Sequence, residues 1–191
     1  MKTITIPKRF GYPQLDICIN GKKYILKSGI EISVEDEVAK IIENALALEP
    51  KLGRNLSKFA KFVEGKSTEL TASDLDGIET VSRYVFYECD NLKRIVIPKG
   101  VTSIGHSAFR NCSYLSSVEI PESILSIDYR AFESCSNLAR VIVKALTPPS
   151  IQTDTFKDIP ATCVFEVPSK SLEAYKSAAN WSAFANQIVA I

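Results

Sequence analysis

Histidine is nearly absent from this chain: 191 residues contain one, His106, alongside one methionine and one tryptophan. A single imidazole excludes sites built on paired histidines. It also leaves a Cys–His nucleophile pair dependent on whichever cysteine lies near it. Long apolar runs are missing too. No stretch approaches the ~20 residues that a membrane-spanning helix needs. Excess charge of either sign is lacking, since 23 basic residues face 22 acidic ones for a net +1. That balance offers no electrostatic pull on nucleic acid or on an anionic membrane. The opening Met1–Pro7 has no apolar core of the secretory kind. The chain is therefore expected either to leave the cell by another route or to have lost a signal. There is no Gly-rich phosphate loop, no G-x-S-x-G and no metalloprotease helix motif. The expectation is a non-enzyme, with no catalytic residue, no metal and no cofactor.

The five cysteines are Cys18, Cys89, Cys112, Cys135 and Cys163. An odd number rules out a full disulfide framework, and no two of them form C-x-x-C. Cys112 is near His106 in sequence, but the equivalents of His106 beside Cys89 and Cys135 are Arg83 and Tyr129. A catalytic pair has no reason to sit inside a repeated packing motif. Free buried thiols behave as small hydrophobes, which is the reading adopted for the cysteines.

What the chain does have is a repeat. Ile78, Val101 and Ile124 are separated by steps of 23 residues, and so are Val81, Ile104 and Ile127. The same step joins Phe86, Phe109 and Phe132, then Cys89, Cys112 and Cys135, then Leu92, Leu115 and Leu138. Ile95, Val118 and Val141 follow it, as do Ile97, Ile120 and Val143. A degraded fourth unit with Phe156, Ile159 and Val167 fits if one residue is inserted, within Thr147–Ser150. Glu69–Leu75 can supply a preceding half-unit. One such unit cannot bury its apolar side alone, whereas stacked units share a continuous core. Leu92–Pro98 alternates as a strand does, and so do Leu115–Pro121 and Leu138–Lys144. Ser107–Cys112 is too short for a long helix and reads as a helical or 3-10 turn.

Val101–Pro121, with its I-x-x-I-G, A-F-x-x-C and L-x-x-V-x-I-P segments, resembles the BspA-like leucine-rich repeat over about residues 68–168. The tail from Val167 to Phe184 resembles the ending common in that family. The resemblance implies a surface-exposed solenoid with adhesion or protein-binding roles and no catalytic residues. The tail reads as a cap over the last rung. Ser169 or Ser171 can N-cap its helix, Leu172, Tyr175 and Ala179 fall on one face, and Trp181 and Phe184 add apolar bulk. Trp181 as a ligand-stacking residue is the rival reading, and the core reading is preferred.

Residues 1–50 lack the repeat. Leu15–Leu26 flanks Asn20-Gly21 with alternating residues, the pattern of a β-hairpin. Gly29–Ile32 can add a strand. Ser33 opens a helix with Val34, Val38, Ile41, Ile42, Ala45 and Leu46 on one stripe. Glu35, Asp36 and Glu37 complement the dipole of that helix and are not read as a metal site. Lys51–Lys66 is a basic linker that can form a short amphipathic helix. Asp74 and Asp76 read as turn residues. The plan is thus an α+β N-terminal domain (1–50), a linker (51–67), a leucine-rich-repeat solenoid of parallel rungs with short helical or 3-10 turns (68–168), and a C-terminal capping helix (169–191).

Function is expected on the surface. Arg94 and Val96, Ser117 and Glu119, and Arg140 and Ile142 point outward between the buried strand positions. They form two columns able to meet a partner. Arg83, His106 and Tyr129, with Tyr87, Arg110 and Tyr114, form a rival face on the turns. The N-terminal segment resembles those of phage and prophage structural proteins. The main expectation is a virion decoration or fibre component whose N-terminal domain docks or homo-oligomerises while the repeats are displayed. The alternative is a bacterial cell-surface adhesin fragment binding host protein or glycan. Both place the chain on a virion or extracellular surface, with no nucleic-acid partner and no membrane span.

Overall fold

The computed structural model describes residues 1–5, 14–19, 22–27, 31–34, 36, 39, 69–75, 77–81 and 83–191. In the N-terminal region, strands β1 (Lys2–Thr5) and β4 (Glu31–Val34) pair antiparallel. So do β2 (Gln14–Ile19) and β3 (Lys22–Lys27). Ile19 faces Lys22, which leaves the two-residue connection expected for Asn20-Gly21, itself outside the described residues. The strand expected near Gly29–Ile32 is β4, and its partner is β1. Val34 closes that strand and is not the first position of the helical stripe. Asp36 and Ala39 are helical, and Asp36 lies 3.5 Å from the amino terminus of Met1. The remaining positions of the expected helix and the basic linker lie outside the described residues.

From Glu69 onward the chain coils into rungs. Two parallel sheets run along the coil. The larger one contains β5 (Glu69–Leu70), β7 (Arg94–Val96), β9 (Ser117–Ile120), β11 (Arg140–Val143), β13 (Val164–Val167) and β14 (Ile188–Ala190), stacked in that order. The smaller one contains β6 (Thr80–Val81), β8 (Ser103–Ile104), β10 (Ser126–Ile127) and β12 (Ser150–Ile151). Nothing in the sequence announces this second sheet, because two residues per rung are too few to show alternation. Each of its strands buries one apolar side chain, Val81, Ile104, Ile127 or Ile151.

Register follows the repeat. Ile95 pairs with Val118 and Val118 with Val141. One residue is added before the fourth rung: Ser126 pairs with Ser150 and Val141 with Phe165, both 24 residues apart. Because Val143 still pairs with Ile120, the insertion falls between Lys144 and Pro149, the segment holding Thr147-Pro148-Pro149. The half-unit also joins, with Leu70 against Ile95.

Packing explains why the seven positions repeat. Phe86 stacks on Phe109, with ring centroids 5.1 Å apart, and Phe109 on Phe132 at 5.0 Å. Offset or parallel stacking of this kind adds to the burial of each ring. The cysteines run alongside. Cys112 Sγ donates to the carbonyl of Phe86 at 2.9 Å, and Cys135 Sγ to that of Phe109 at 3.1 Å. The four described cysteines are free thiols. Cys163 takes the place that Leu92, Leu115 and Leu138 hold in earlier rungs, since its amide bonds to Pro160 O as theirs bond to the cysteine carbonyls. Removal from water pushes Cys89, Cys135 and Cys163 up to about 12 and lifts Cys112 well above its ordinary value.

The connecting segments are not helical or 3-10 turns. They are successive tight turns with left-handed residues at Tyr84, Ser107 and Arg130, and again at Glu88, Asn111, Ser134 and Asp158. Left-handed backbone breaks the run that a 3-10 helix requires. It lets alternate amides reach the next rung: Phe86 N bonds to Ala108 O, Phe109 N to Ala131 O and Phe132 N to Thr155 O. Among the described repeat residues a 3-10 turn occurs before the first full rung, at Ala72–Asp74, in keeping with the turn role expected of Asp74.

The tail closes the far end. Helix α1 (Leu172–Ser177) is six residues long, followed by a 3-10 turn at Trp181–Phe184 and then β14. Tyr175 and Trp181 are fully buried. Trp181 packs on Phe156 and Phe165 and donates Nε1–H to Pro149 O at 2.8 Å, so it is core. Ser171 occupies the N-cap position but makes no side-chain cap bond. Ser169 Oγ donates to Ile191 O instead. Ala179 lies beyond the helix and is exposed.

Candidate binding surfaces

Strand alternation decides which side chains leave the core. In β7, β9 and β11 the buried residues are Ile95, Val118, Ile120, Val141 and Val143, so the residues between them face outward. The register then aligns Arg94, Ser117 and Arg140 in one column. Val96, Glu119 and Ile142 form a second column. The six residues expected to share a face are therefore neighbours, one rung apart.

This face is longer and more self-paired than the repeat count suggests. Val164 and Glu166 continue the two columns on β13. Arg140 donates Nε–H and Nη2–H to the two Glu166 oxygens, each at 2.6 Å. This fork is the strong geometry for a guanidinium and a carboxylate, and it raises the Arg140 pKa above its ordinary value. Glu119 is met by Lys144 and by Arg94 at 3.9 Å. The count of 23 misses Glu166 because it stops at the inserted residue, and Lys144 stands where the earlier rungs have Pro98 and Pro121. Carrying the insertion forward puts Glu166 beside Ile142.

The turn side carries a different chemistry. Tyr84 Oη and His106 Nε2 are 2.9 Å apart. His106 stacks on Tyr129 with centroids 5.5 Å apart, and the Arg130 guanidinium lies 4.7 Å from the centre of the Tyr129 ring. Simple counting puts Arg83 under His106. The contact is made instead by Tyr84, one residue along, whose side chain crosses between rungs to reach the imidazole. Arg110 stands over Tyr87 at 5.9 Å. Asn111 Nδ2 donates to Glu88 Oε1 at 3.1 Å. Tyr114 is exposed.

Glu133 is the electrostatic centre of this side. It is only 5% exposed, yet it faces three cations from three rungs. Arg110 Nε is 2.5 Å from its Oε2, Arg130 Nε 3.5 Å, and Lys157 Nζ is 4.0 Å from its Oε1. The two arginine Nε atoms approach off their N–H axes, so the attraction is of charges and not of aligned hydrogen bonds. Arg130 also approaches Asp154 at 3.8 Å.

Nucleophile chemistry finds no support in this arrangement. The Cys112 thiol is buried and engaged with Phe86, whereas His106 is engaged with Tyr84 and Tyr129. Among the described residues no group of three His, Cys, Asp or Glu side chains is placed to hold a metal ion. Among them, too, no helix is long and apolar enough to cross a membrane.

Comparison with known proteins agrees with this architecture. A family model described as the BspA type leucine rich repeat region matches residues 67–187 in six copies. None of the curated proteins matches the chain. Among solved structures, a leucine-rich repeat protein of T. pallidum is 26% identical, over 59% of this chain and 57% of that one, with a TM-score of 0.45. A leucine-rich repeat protein from Bacteroides ovatus ATCC 8483 is 24% identical, over 60% of this chain and 29% of that one, with a TM-score of 0.39. The chain thus spans a little over half the length of the first and less than a third of the second. With its rungs, its register and the match over residues 67–187 together, the chain belongs to the BspA-type leucine-rich-repeat family.

Proposed function

We propose that this chain is a non-catalytic binding module that meets a protein or glycan partner at a bacterial cell surface. The observation that carries it is the constant register of β7, β9 and β11, which sets six outward side chains in two straight columns. The inward positions are consumed by stacking, and the outward ones are held at fixed spacing by a rigid scaffold. The contact surface is centred on Arg94, Val96, Ser117, Glu119, Arg140 and Ile142. Val96 and Ile142 supply apolar area between paired charges, an interface-like mixture. Family membership supports the cell-surface adhesin reading over the virion decoration or fibre reading. The N-terminal strands and the linker serve to dock the module on a larger structure.

A second reading places the partner on the turn side, on the strength of the Tyr84, Tyr87, His106 and Tyr129 rings and the arginines beside them. Aromatic and arginine side chains are the usual anchors of interfaces. Arrays of purified extracellular-matrix proteins and mammalian glycans separate the two. With the sheet face in use, a V96E/I142E variant loses the binding of the natural chain and a Y114A/Y129A variant keeps it. The reverse pattern assigns the turn side. No binding to any probe by the natural chain counts against both.

A further inference from the structure

Successive rungs build a short column of charge on the turn side. Glu88 N, Asn111 N and Ser134 N donate to the carbonyls of Arg110, Glu133 and Lys157, each at 2.9 Å. This repeated bond sets Arg110, Glu133 and Lys157 one above another at rung spacing. Arg130 joins them from three residues before Glu133. Three cations thus meet the buried Glu133 carboxylate, and Asp154 approaches Arg130 at 3.8 Å. Three positive charges against two negative leave the group with one positive charge over.

The two guanidiniums turn the same atom to the buried carboxylate. Nε is the nearest atom of each to Glu133, so the terminal Nη groups lie farther out. The Arg110 and Arg130 side chains are 31% and 32% exposed. A guanidinium carries five N–H donors, and its Nη edge can take a carboxylate in a fork. Both groups are also backed by a ring, Arg110 by Tyr87 and Arg130 by Tyr129. Glu133 and the tyrosines therefore hold two neighbouring guanidiniums in place before any ligand arrives, which lowers the ordering cost of binding.

We propose that Arg110 and Arg130 bind the carboxylate of a terminal acidic sugar on a glycan. The proposal rests on the turn-side reading of the partner surface. A single excess charge at one spot suits one carboxylate at a chain end, and not a polyanion. On the sheet face the equivalent fork of Arg140 is already filled by Glu166. A sugar fits this side better than an acidic peptide does. The amides and carbonyls of these rungs are spent on one another, so an extended peptide finds no strand to join. Sugar hydroxyls need side-chain partners instead, and phenols and amides both donate and accept. Tyr87 and Tyr129 stand beside the arginines, and Asn111 Nδ2 lies 3.4 Å from Tyr87 Oη.

Titration calorimetry of the full chain tests this with sialyllactose, whose one charge is a terminal carboxylate. Lactose and the methyl ester of sialyllactose are its neutral counterparts. The natural chain should bind sialyllactose about tenfold or more tightly than either, and less tightly as salt is added. Arg130→Gln should weaken that binding about tenfold or more, with melting by circular dichroism unchanged. If Arg130→Gln disturbs the fold, the acid and its ester compared on the natural chain decide alone. Equal binding of acid and ester overturns the proposal. So does sialyllactose binding that survives Arg130→Gln, or its absence at millimolar sugar. Tighter binding of polyglutamate or of a heparin fragment assigns the site to anions in general and rejects the terminal sugar. The array experiment separates this failure from that of the underlying reading. Array binding lost in Y114A/Y129A by a chain that ignores sialyllactose keeps the turn side and rejects this occupant. Array binding lost only in V96E/I142E removes the turn-side reading and the proposal with it.

Discussion

Phe132 and Phe156 stack with ring centroids 5.2 Å apart and planes 4° from parallel, although 24 residues and not 23 separate them. The extra residue is taken up before the fourth rung, so the aromatic column continues without a break. Side-chain stacking, and not the count along the chain, sets the geometry of the rung.

Truncating the middle of that column should be costly. Phe109 is fully buried between two rings, and Phe109→Ala is expected to cost about 3–5 kcal/mol. Urea unfolding followed by circular dichroism measures it. A loss under about 1 kcal/mol would show that neighbouring rungs collapse into the space.

The thiols should be inert, and stability should fall in alkali. A thiol ionises near 9 in the unfolded chain, whereas burial holds Cys135 at about 12 in the folded one. The folded state therefore binds that proton more tightly. Its contribution is intact below pH 9 and is lost as pH rises through 9 toward 12. With Cys18 and the half-buried Cys89 replaced by serine, a thiol reagent at pH 8 should label nothing until the chain is unfolded. Rapid labelling of the native chain would contradict the buried column.

Trp181 combines packing with a hydrogen bond, and the two can be separated. Trp181→Phe retains one six-membered ring in place of the indole but leaves Pro149 O without its donor, for an expected loss of about 1–3 kcal/mol. Trp181→Ala also removes the ring from Phe156, Phe165 and Tyr175, for about 3–5 kcal/mol. Thermal melts of the two variants, compared at one pH, give the split. Equal losses would mean that the hydrogen bond contributes everything.

Glu133→Gln keeps shape and removes the charge that Arg110, Arg130 and Lys157 surround. The three cations then repel one another beside a buried amide. The expected cost is about 1–3 kcal/mol, reduced by added salt because the cations are partly solvated. Denaturation at low and high ionic strength reads both. A variant as stable as the natural chain would show that the cations turn outward to water.

The six outward residues are legible in the sequence because alternation is a property of the strand itself. Once Ile95, Val118 and Val141 are assigned to the core, Arg94, Val96 and their equivalents have to face out. What meets those side chains is not legible. Glu166 is 26 residues from Arg140, and a fork between them depends on which rung lies next and on how far the insertion shifts it. The same holds for Glu133, whose cations come from positions 110, 130 and 157.

From sequence alone the coil, its step of 23 residues and its buried column follow, because identical apolar positions at a constant interval have one compact arrangement, each upon the next. Tertiary structure alone decided the rest. The second sheet rests on two residues per rung. The left-handed turns fall on Tyr84, Glu88 and Arg130 as well as on Ser107, Asn111 and Asp158, so residue type alone does not mark them. Ile188–Ala190 becomes a strand only because β13 offers it an edge. Each of these is settled by hydrogen bonds between rungs, which join residues more than twenty positions apart and leave no pattern within either one.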